Sequence, residues 1–243
     1  MRIARVFAPS VSSPGTRYAL PPDASRHLSK VLRARVGQSL VCFDGTGREY
    51  TCAITDIDRK QVWVQVESVT ETSNESPLSI KLALAITRGD RMDFAIQKSV
   101  ELGVVEILPF FSERCEVKLQ GDKASKRTAH WQAVALSACE QSGRTVVPQV
   151  LAPQALADLV TTEHAMRLVL DPTSEQTLSA LPITGNEVLV AIGPEGGFSN
   201  EEVDLMTGHG FDSVRLGPRV LRAETAAIVA TAALQTLHGD LGR

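Results

Sequence analysis

Apolar and polar positions alternate through the first part of the chain, which is the pattern of half-buried β-strands. The segments Gln38–Phe43 and Arg48–Ile54 flank the turn sequence Asp44–Gly47, and we predict a β-hairpin there. Gln61–Glu67 alternates in the same way and predicts another strand. A small β-barrel-like domain follows from these elements.

A short helix interrupts this β pattern at Ser25–Leu32. Helical spacing places Leu28, Val31 and Leu32 on one face and basic side chains on the other. We therefore expect a short basic helix on the β domain.

The hydrophobic period changes after the polar run Thr70–Pro77, which predicts a linker between a domain at 1–72 and a domain at 73–243. Beyond it, strand-length apolar runs alternate with helical patterns. The predicted strands are Ile80–Ile86, Val104–Pro109, Arg167–Asp171 and Glu187–Ile192. The predicted helices are Asp90–Leu102, Ser125–Ser142, one opened by the capping-box sequence Ser199–Glu202, and Glu224–Leu237. Alternation of this kind predicts an α/β domain with a largely parallel sheet.

Composition narrows the class of protein. With 43% hydrophobic and 22% charged residues, the chain is neither disordered nor fibrous. No apolar run has the length of a membrane span, and the N-terminal sequence lacks the apolar core of a signal peptide, so we expect a cytoplasmic protein without membrane contact. The four cysteines form no C-x-x-C pair, which favours reduced thiols over a zinc site or a disulfide framework.

Charge is distributed unevenly along the chain. The net charge is −3, yet residues 1–35 hold seven basic residues and one acidic residue, whereas residues 131–243 hold six basic and thirteen acidic residues. A basic N-terminal part indicates contact with a polyanion such as nucleic acid. A solvated basic surface has the same pattern.

Two glycine-containing turns follow predicted strands in the second domain. In Ile192–Ser199 the glycines let the backbone approach a ligand, and Glu195 disfavours phosphate and favours a ligand with positive charge or donor groups. The second turn is Leu216–Leu221. The two turns are able to form opposite walls of one pocket for a heterocycle, although a tight structural turn explains the first one equally well.

These turns, IGPEGGFSNEE and LGPRVLRAETAAI, resemble those of the knotted SPOUT-type methyltransferases. Further blocks are RHLSKVLR from Arg26, RGDRMDFAIQKSVELGV from Arg88, Ile107-Leu-Pro with Ser112-Glu-Arg-Cys, and EQSGRTVVP from Glu140. In this order they resemble the bacterial family that methylates N3 of a uridine, numbered 1498, in 16S ribosomal RNA. The chain departs from the family pattern at Cys115, where Ser is usual, and at Cys139, where Ala is usual.

The resemblance implies an α/β fold: a SPOUT-type parallel sheet with a deep trefoil knot, preceded by a small PUA-like β-barrel domain that binds RNA. It implies S-adenosylmethionine as the cofactor, no metal, a homodimer, and 16S ribosomal RNA, within the small ribosomal subunit, as the partner. The residues that it assigns to the cofactor are Leu170, Gly193, Pro194, Glu195, Gly196, Gly197, Leu216, Gly217, Arg219, Val220 and Leu221.

For methylation of uracil N3 the candidate catalytic residues are Arg222 and Glu224, with Arg144 and Arg88 as second choices. A guanidinium near a uracil oxygen stabilises a developing uridinate, and a carboxylate accepts the N3 proton. Glu224 equally suits the positive end of a helix dipole. The candidate RNA contacts are Arg5, Arg17, Arg26, His27, Lys30, Arg33, Arg35, Arg88 and Arg91.

Two other functions are compatible with the same motifs. One is a SPOUT methyltransferase that acts on another RNA target, such as a ribose hydroxyl or a tRNA base. The other is a catalytically silent RNA-binding factor in ribosome assembly, which the intact glycine turns disfavour.

Overall fold

The computed structural model describes residues 3–59, 61–72, 74–162 and 166–242. They divide into two units. The first contains the chain up to Glu75 and the segment Cys139–Val147, and the second contains Ser76–Ala138 and the chain from Pro148 onward. Within the described residues, every helix is too short or too polar to cross a bilayer.

The first unit is built on one mixed five-stranded sheet. Its strands are β1 (Ala4–Phe7), β2 (Arg17–Ala19), β3 (Ser39–Phe43), β4 (Arg48–Ile57) and β5 (Val62–Glu71). They are ordered β1-β3-β4-β5-β2, with β1 parallel to β3 and the other pairs antiparallel. The predicted hairpin is confirmed as β3 and β4, and β5 reaches Glu71, inside the polar run predicted as the linker.

Alternate positions of β5 form the core of this sheet, because side chains of a strand point to opposite faces. Val62, Val64 and Val66 are each at most 1% exposed. The predicted two-residue period is therefore the period of burial.

The prediction for the helix at 25–32 was wrong about which residues form its apolar face. Helix α1 spans Pro22–Arg26 and continues as a π-helical turn, His27–Val31, that ends with a hydrogen bond from the Leu32 N–H to the His27 oxygen. Leu28 is buried, whereas Val31 and Leu32 are 66% and 48% exposed. The predicted face assumed regular α-helical spacing, which the π-helical turn interrupts.

The second unit is built on a seven-stranded sheet in which all the described pairings are parallel. Its strands are β6 (Ser79–Ala85), β7 (Val104–Phe111), β8 (Gln149–Val150), β9 (Gln154–Ala155), β10 (Arg167–Leu170), β11 (Glu187–Ile192) and β12 (Asp212–Val214). The helices that follow or connect these strands are α2 (Asp90–Glu101), α3 (Asp122–Ser142), α4 (Leu156–Val160), α5 (Asn200–Gly208) and α6 (Ala223–His238), with a 3-10 turn at Leu178–Ala180. The predicted α/β domain with a parallel sheet is confirmed.

The strand order β12-β10-β11-β6-β7-β8 creates a switch point at β10. The chain passes from β11 to β12, and these two strands lie on opposite sides of β10. Loops that leave the carboxyl ends of strands on either side of such a point open a crevice between them. The buried strand β11, in which Val188 to Ala191 are fully buried, holds one side of this crevice rigidly.

Candidate active site

A cavity of about 580 Å³ opens at the carboxyl ends of β10, β11 and β12. Its lining comes from residues 170–173 after β10, residues 192–198 after β11, and residues 214–217 and 219–221 after β12, with further side chains from α5 and the start of α6. The volume lies in the range of ligand pockets, roughly 300–1,000 Å³. All eleven residues that the sequence assigns to the cofactor line this one cavity.

Three glycines stand in the wall after β11, and at two of them a side chain would meet close neighbours. A Cβ atom on Gly193 would lie 3.2 Å from the Phe198 ring and 3.3 Å from the Phe198 nitrogen. A Cβ atom on Gly196 would lie 3.3 Å from Cβ of Arg114. Gly197 has φ +69°, a conformation that side chains rarely adopt. A side chain at Gly193 or Gly196 would push its neighbours aside by a few tenths of an ångström, and a side chain at Gly197 would strain the backbone.

Arg114 holds this wall from the loop after β7. Its Nη1 donates to the carbonyl oxygens of Gly196, at 2.9 Å, and Phe198, at 3.3 Å. The Phe198 ring stacks on Phe110 with 6.1 Å between ring centroids. Sequence reasoning did not assign Arg114 to the site, although it lies in the matched Ser112-Glu-Arg-Cys block.

Glu202 fixes the other end of the same wall. Its carboxylate accepts hydrogen bonds from the Ser199 N–H at 3.0 Å, the Ser112 hydroxyl at 3.0 Å and the Glu113 N–H at 2.8 Å. Ser199 caps α5 in return, so the predicted capping box is confirmed. A buried carboxylate with three donors makes the loop after β11 a preorganised wall.

Glu195 projects from this wall and pairs with Arg91 at the start of α2, with 2.9 Å between Oε1 and Nη1. Both side chains are partly exposed, so the ion pair contributes little to stability. The pair nevertheless places Arg91, a predicted RNA contact, at the edge of the cavity.

The wall after β12 is formed by residues 214–217 and 219–221. Gly217 has φ +124° with open space around its α-carbon, so backbone conformation alone requires glycine there. Val220 is 81% exposed although it lines the cavity. Asp171, which sequence reasoning missed, lines the floor directly after β10, and its Oδ2 accepts a hydrogen bond from the Ser213 hydroxyl at 3.3 Å. Its position just past the end of a parallel strand was the available signal.

The candidate catalytic residues fall in different places. Arg222 is the exposed N-cap of α6, beside the lining residues Leu221 and Ala223. Glu224 lies in the first turn of α6, and its Oε2 is buried without a hydrogen-bond partner among the described residues.

Arg144 belongs to the first unit and, like Arg222 and Glu224, is not among the residues that line the cavity. It is 4% exposed, and its Nε donates to the Glu75 carboxylate at 3.1 Å. This burial and pairing give it a structural partner and disfavour the predicted catalytic role.

The candidate RNA contacts are mostly exposed side chains of the first unit, with Arg5 as the exception. Arg5 pairs with Glu49, donates to the Gly143 carbonyl at 3.2 Å and packs over the Phe43 ring. Its side chain is 14% exposed, so the structure does not place it with the surface cations. The exposed candidates in the first unit are Arg17, Arg26, His27, Lys30, Arg33 and Arg35. In the second unit, Arg88 pairs with Glu116 at 2.7 Å.

Comparison with known proteins identifies both parts of the chain. Residues 74–235 match the family model of an RNA methyltransferase domain, and residues 20–67 match that of an RNA methyltransferase PUA domain. Proteins named ribosomal RNA small subunit methyltransferase E are 34% identical in Buchnera aphidicola (Schizaphis graminum), over 99% of this chain and 98% of the relative, and 30% identical in Bacillus subtilis, over 92% and 93%.

Solved structures of two related proteins match this fold over nearly the whole chain. A chain from Legionella pneumophila, solved in complex with S-adenosylmethionine, is 43% identical with a TM-score of 0.97, covering 99% of this chain and all of that one. The ribosomal RNA small subunit methyltransferase E of Neisseria gonorrhoeae, bound to S-adenosyl methionine, is 39% identical with a TM-score of 0.94, covering 98% and 99%. The resemblance read from the motifs is therefore confirmed, and the chain belongs to the RNA methyltransferase family whose members are named ribosomal RNA small subunit methyltransferase E.

Proposed function

We propose that this protein transfers the methyl group of S-adenosylmethionine to N3 of a uracil in 16S ribosomal RNA. The observation that carries the proposal is the convergence of all eleven predicted cofactor residues on one cavity at the carboxyl edge of the sheet. Relatives at 39% and 43% identity are bound to this cofactor, and the named relatives act on small-subunit ribosomal RNA.

The cavity fits such a cofactor in shape and charge. Gly193 and Gly196 line the cavity without a side chain, so their backbone is open to a ligand. Leu216 and Leu221 supply apolar contacts for a heterocycle, and the carboxylate of Asp171 favours a ligand with donor groups and positive charge, whereas Glu195 is already paired with Arg91. Bound S-adenosylmethionine supplies an electrophilic methyl group on a sulfonium.

Residues at the start of α6 are the candidates for proton handling. N3 of uracil carries a proton that has to leave before the nitrogen is nucleophilic, and the carboxylate of Glu224 is the candidate acceptor because its buried Oε2 has no partner among the described residues. Arg222, two residues earlier and exposed, is the candidate donor to a uracil oxygen, where it would stabilise the uridinate. Alignment of the two reactants contributes roughly 7–11 kcal/mol in well-oriented systems.

The exposed cations of the first unit, a PUA domain by its family model, hold the RNA by its phosphates. Two copies of the chain form a homodimer, and the chain adopts the trefoil knot of SPOUT enzymes. The substrate is 16S RNA within the small subunit, which places the protein in the cytoplasm.

The test is methylation of 16S RNA, naked or in isolated small subunits, with isotopically labelled cofactor. We expect labelled 3-methyluridine by mass spectrometry of the nucleosides and one new stop in primer extension, since N3 methylation blocks base pairing. The variant Gly193→Val should abolish labelling, whereas Gly208→Ala, a matched glycine change with open space around it, should not. Label on another atom or RNA would contradict the proposed target, and absence of cofactor binding in calorimetry would favour a catalytically silent RNA-binding factor.

A further inference from the structure

A second cavity, of about 560 Å³, lies in the methyltransferase unit beside the first one. Its lining begins with residues 86–89, which follow the carboxyl end of β6, and includes Val117 and Leu119 from the connection between β7 and α3. The remaining lining residues project from the first turns of α3 and are Lys123, Lys126, Arg127 and His130.

This basic groove (Ile86, Thr87, Arg88, Gly89, Val117, Leu119, Lys123, Lys126, Arg127 and His130) has no acidic residue in its lining. Arg88 and His130 are each held by a carboxylate outside the lining, Glu116 at 2.7 Å and Asp93 at 2.6 Å. Arg127 is oriented by the Gly89 carbonyl and packs over the Trp131 ring.

Lys123 and Lys126 are exposed, and neither has an ion-pair partner within the part of the chain that the structure describes. Their spacing of three residues places them on one side of α3. Two unpaired ammonium groups over an apolar floor of Ile86, Val117 and Leu119 are arranged to receive anionic groups attached to apolar or ring-shaped ones.

The position of the groove connects it with the cofactor cavity. Strand β6 is hydrogen-bonded in parallel to β11, so the loops after the two strands leave the same edge of the sheet as neighbours. The Arg91–Glu195 ion pair joins these loops directly, because Arg91 follows the groove residue Gly89 by two positions and Glu195 lines the cofactor cavity.

We propose that the basic groove binds backbone phosphates of the RNA next to the target base, an inference that rests on the proposed function. RNA is the occupant that the chemistry favours, because lysine and arginine contact phosphates while apolar side chains contact ribose and base faces. An RNA strand bound in the groove would run along the carboxyl edge of the β-sheet toward the cofactor cavity. Arg88 was assigned to RNA from the sequence, and the groove adds Lys123, Lys126, Arg127 and His130.

The test measures RNA affinity as a function of salt for Lys123→Gln, Lys126→Gln and the double variant, with a fluorescent 16S fragment. Each single change should weaken binding about five- to tenfold near 0.1 M salt and reduce the slope of log affinity against log salt by about 0.7 to 0.9, and the double change by about twice that. Lys98→Gln is the charge-matched control, because Lys98 lies in the last turn of α2, at the opposite edge of the sheet.

Cofactor affinity measured by calorimetry separates a specific effect from misfolding, and it should be the same in all four variants. Wild-type affinity and salt slope in the double variant would overturn the groove as an RNA site, even if the wild-type protein methylates 16S RNA. Conversely, a wild-type protein that methylates no 16S RNA, but whose lysine variants lose RNA affinity as described, would contradict the proposed function and support the groove.

Discussion

The hydroxyl of Ser112 donates a hydrogen bond to the carboxylate of Glu202 across 3.0 Å, which ties the loop after β7 to the first turn of α5. Glu202 is 8% exposed and also accepts the N–H groups of Glu113 and Ser199. One buried carboxylate thus holds the end of the glycine turn in place, although it does not line the cavity itself.

Replacement of Glu202 should therefore affect both stability and cofactor binding. Glu202→Ala leaves two buried donors, the Ser199 N–H and the Ser112 hydroxyl, without this acceptor, and each such group costs about 1–3 kcal/mol. We expect urea unfolding to show a loss of at least about 2 kcal/mol, with weaker S-adenosylmethionine binding in calorimetry. Glu201→Ala, at the exposed neighbouring position of α5, is the control and should change neither. Equal stability of the two variants would show that the carboxylate network is not needed.

A side chain at Gly193 should disturb the wall after β11. Gly193→Ala places a methyl group 3.2 Å from the Phe198 ring and 3.3 Å from its backbone nitrogen, so Phe198 has to move by a few tenths of an ångström. We expect at least a tenfold loss of cofactor affinity by calorimetry. Gly208→Ala, in the same unit with open space around it, should bind the cofactor as the wild-type protein does. Undiminished affinity in Gly193→Ala would argue against a close backbone approach to the ligand.

Glu224→Gln tests the candidate proton acceptor with almost no change of shape. If the carboxylate takes the N3 proton, the turnover number should fall by about 10²- to 10⁴-fold, while the dissociation constant of the cofactor stays constant. Single-turnover methylation of 16S RNA gives the rate, and calorimetry gives the affinity. A variant with full activity would assign Glu224 to the positive end of the α6 dipole instead.

Burial raises the pKa of Glu140 above its ordinary value, although the N–H of Phe7 and the charges of His27 and Arg5 oppose the rise. Because the folded protein binds this proton more tightly than the unfolded chain, the protonated carboxyl of Glu140 stabilises the folded state. This contribution is complete below the unfolded pKa, about 4.5, and is lost as the pH rises through the folded pKa. Glu140→Gln should therefore gain stability relative to the wild-type protein as the pH rises above about 4.5. Urea unfolding across this range measures the gain, and the exposed Glu67→Gln gives a reference that should show no such trend.

Arg5 and Arg35 should respond differently to the same substitution. Arg5→Gln leaves the partly buried carboxylate of Glu49 without its partner, so we expect lower thermal stability. Arg35→Gln changes an exposed cation and should leave stability constant, while RNA binding weakens in a salt-dependent way. Lower RNA affinity in Arg5→Gln without lower stability would show that Arg5 contacts RNA after all.

The sequence predicted much of the local structure because local rules suffice there. The two-residue period of β5, the hairpin turn at Asp44–Gly47 and the capping box at Ser199 each depend on neighbouring residues only. The two glycine turns were also recognised as walls of one pocket, since parallel strands end at one edge of a sheet and the resemblance assigned both turns to one ligand.

By itself, then, the amino-acid sequence determined the two domain types, the parallel sheet and the residues around the cofactor cavity. Only the tertiary structure decided that Arg144 is buried, that Arg5 is partly buried, and that both are paired. It also decided that Arg114 and Glu202 brace the glycine turn and that α3 meets the end of β6 in a basic groove. These contacts join residues far apart in the chain. Periodicity and turn chemistry report only on neighbours within a few positions, whereas the burial of a charge or the meeting of two loops depends on how the whole chain packs.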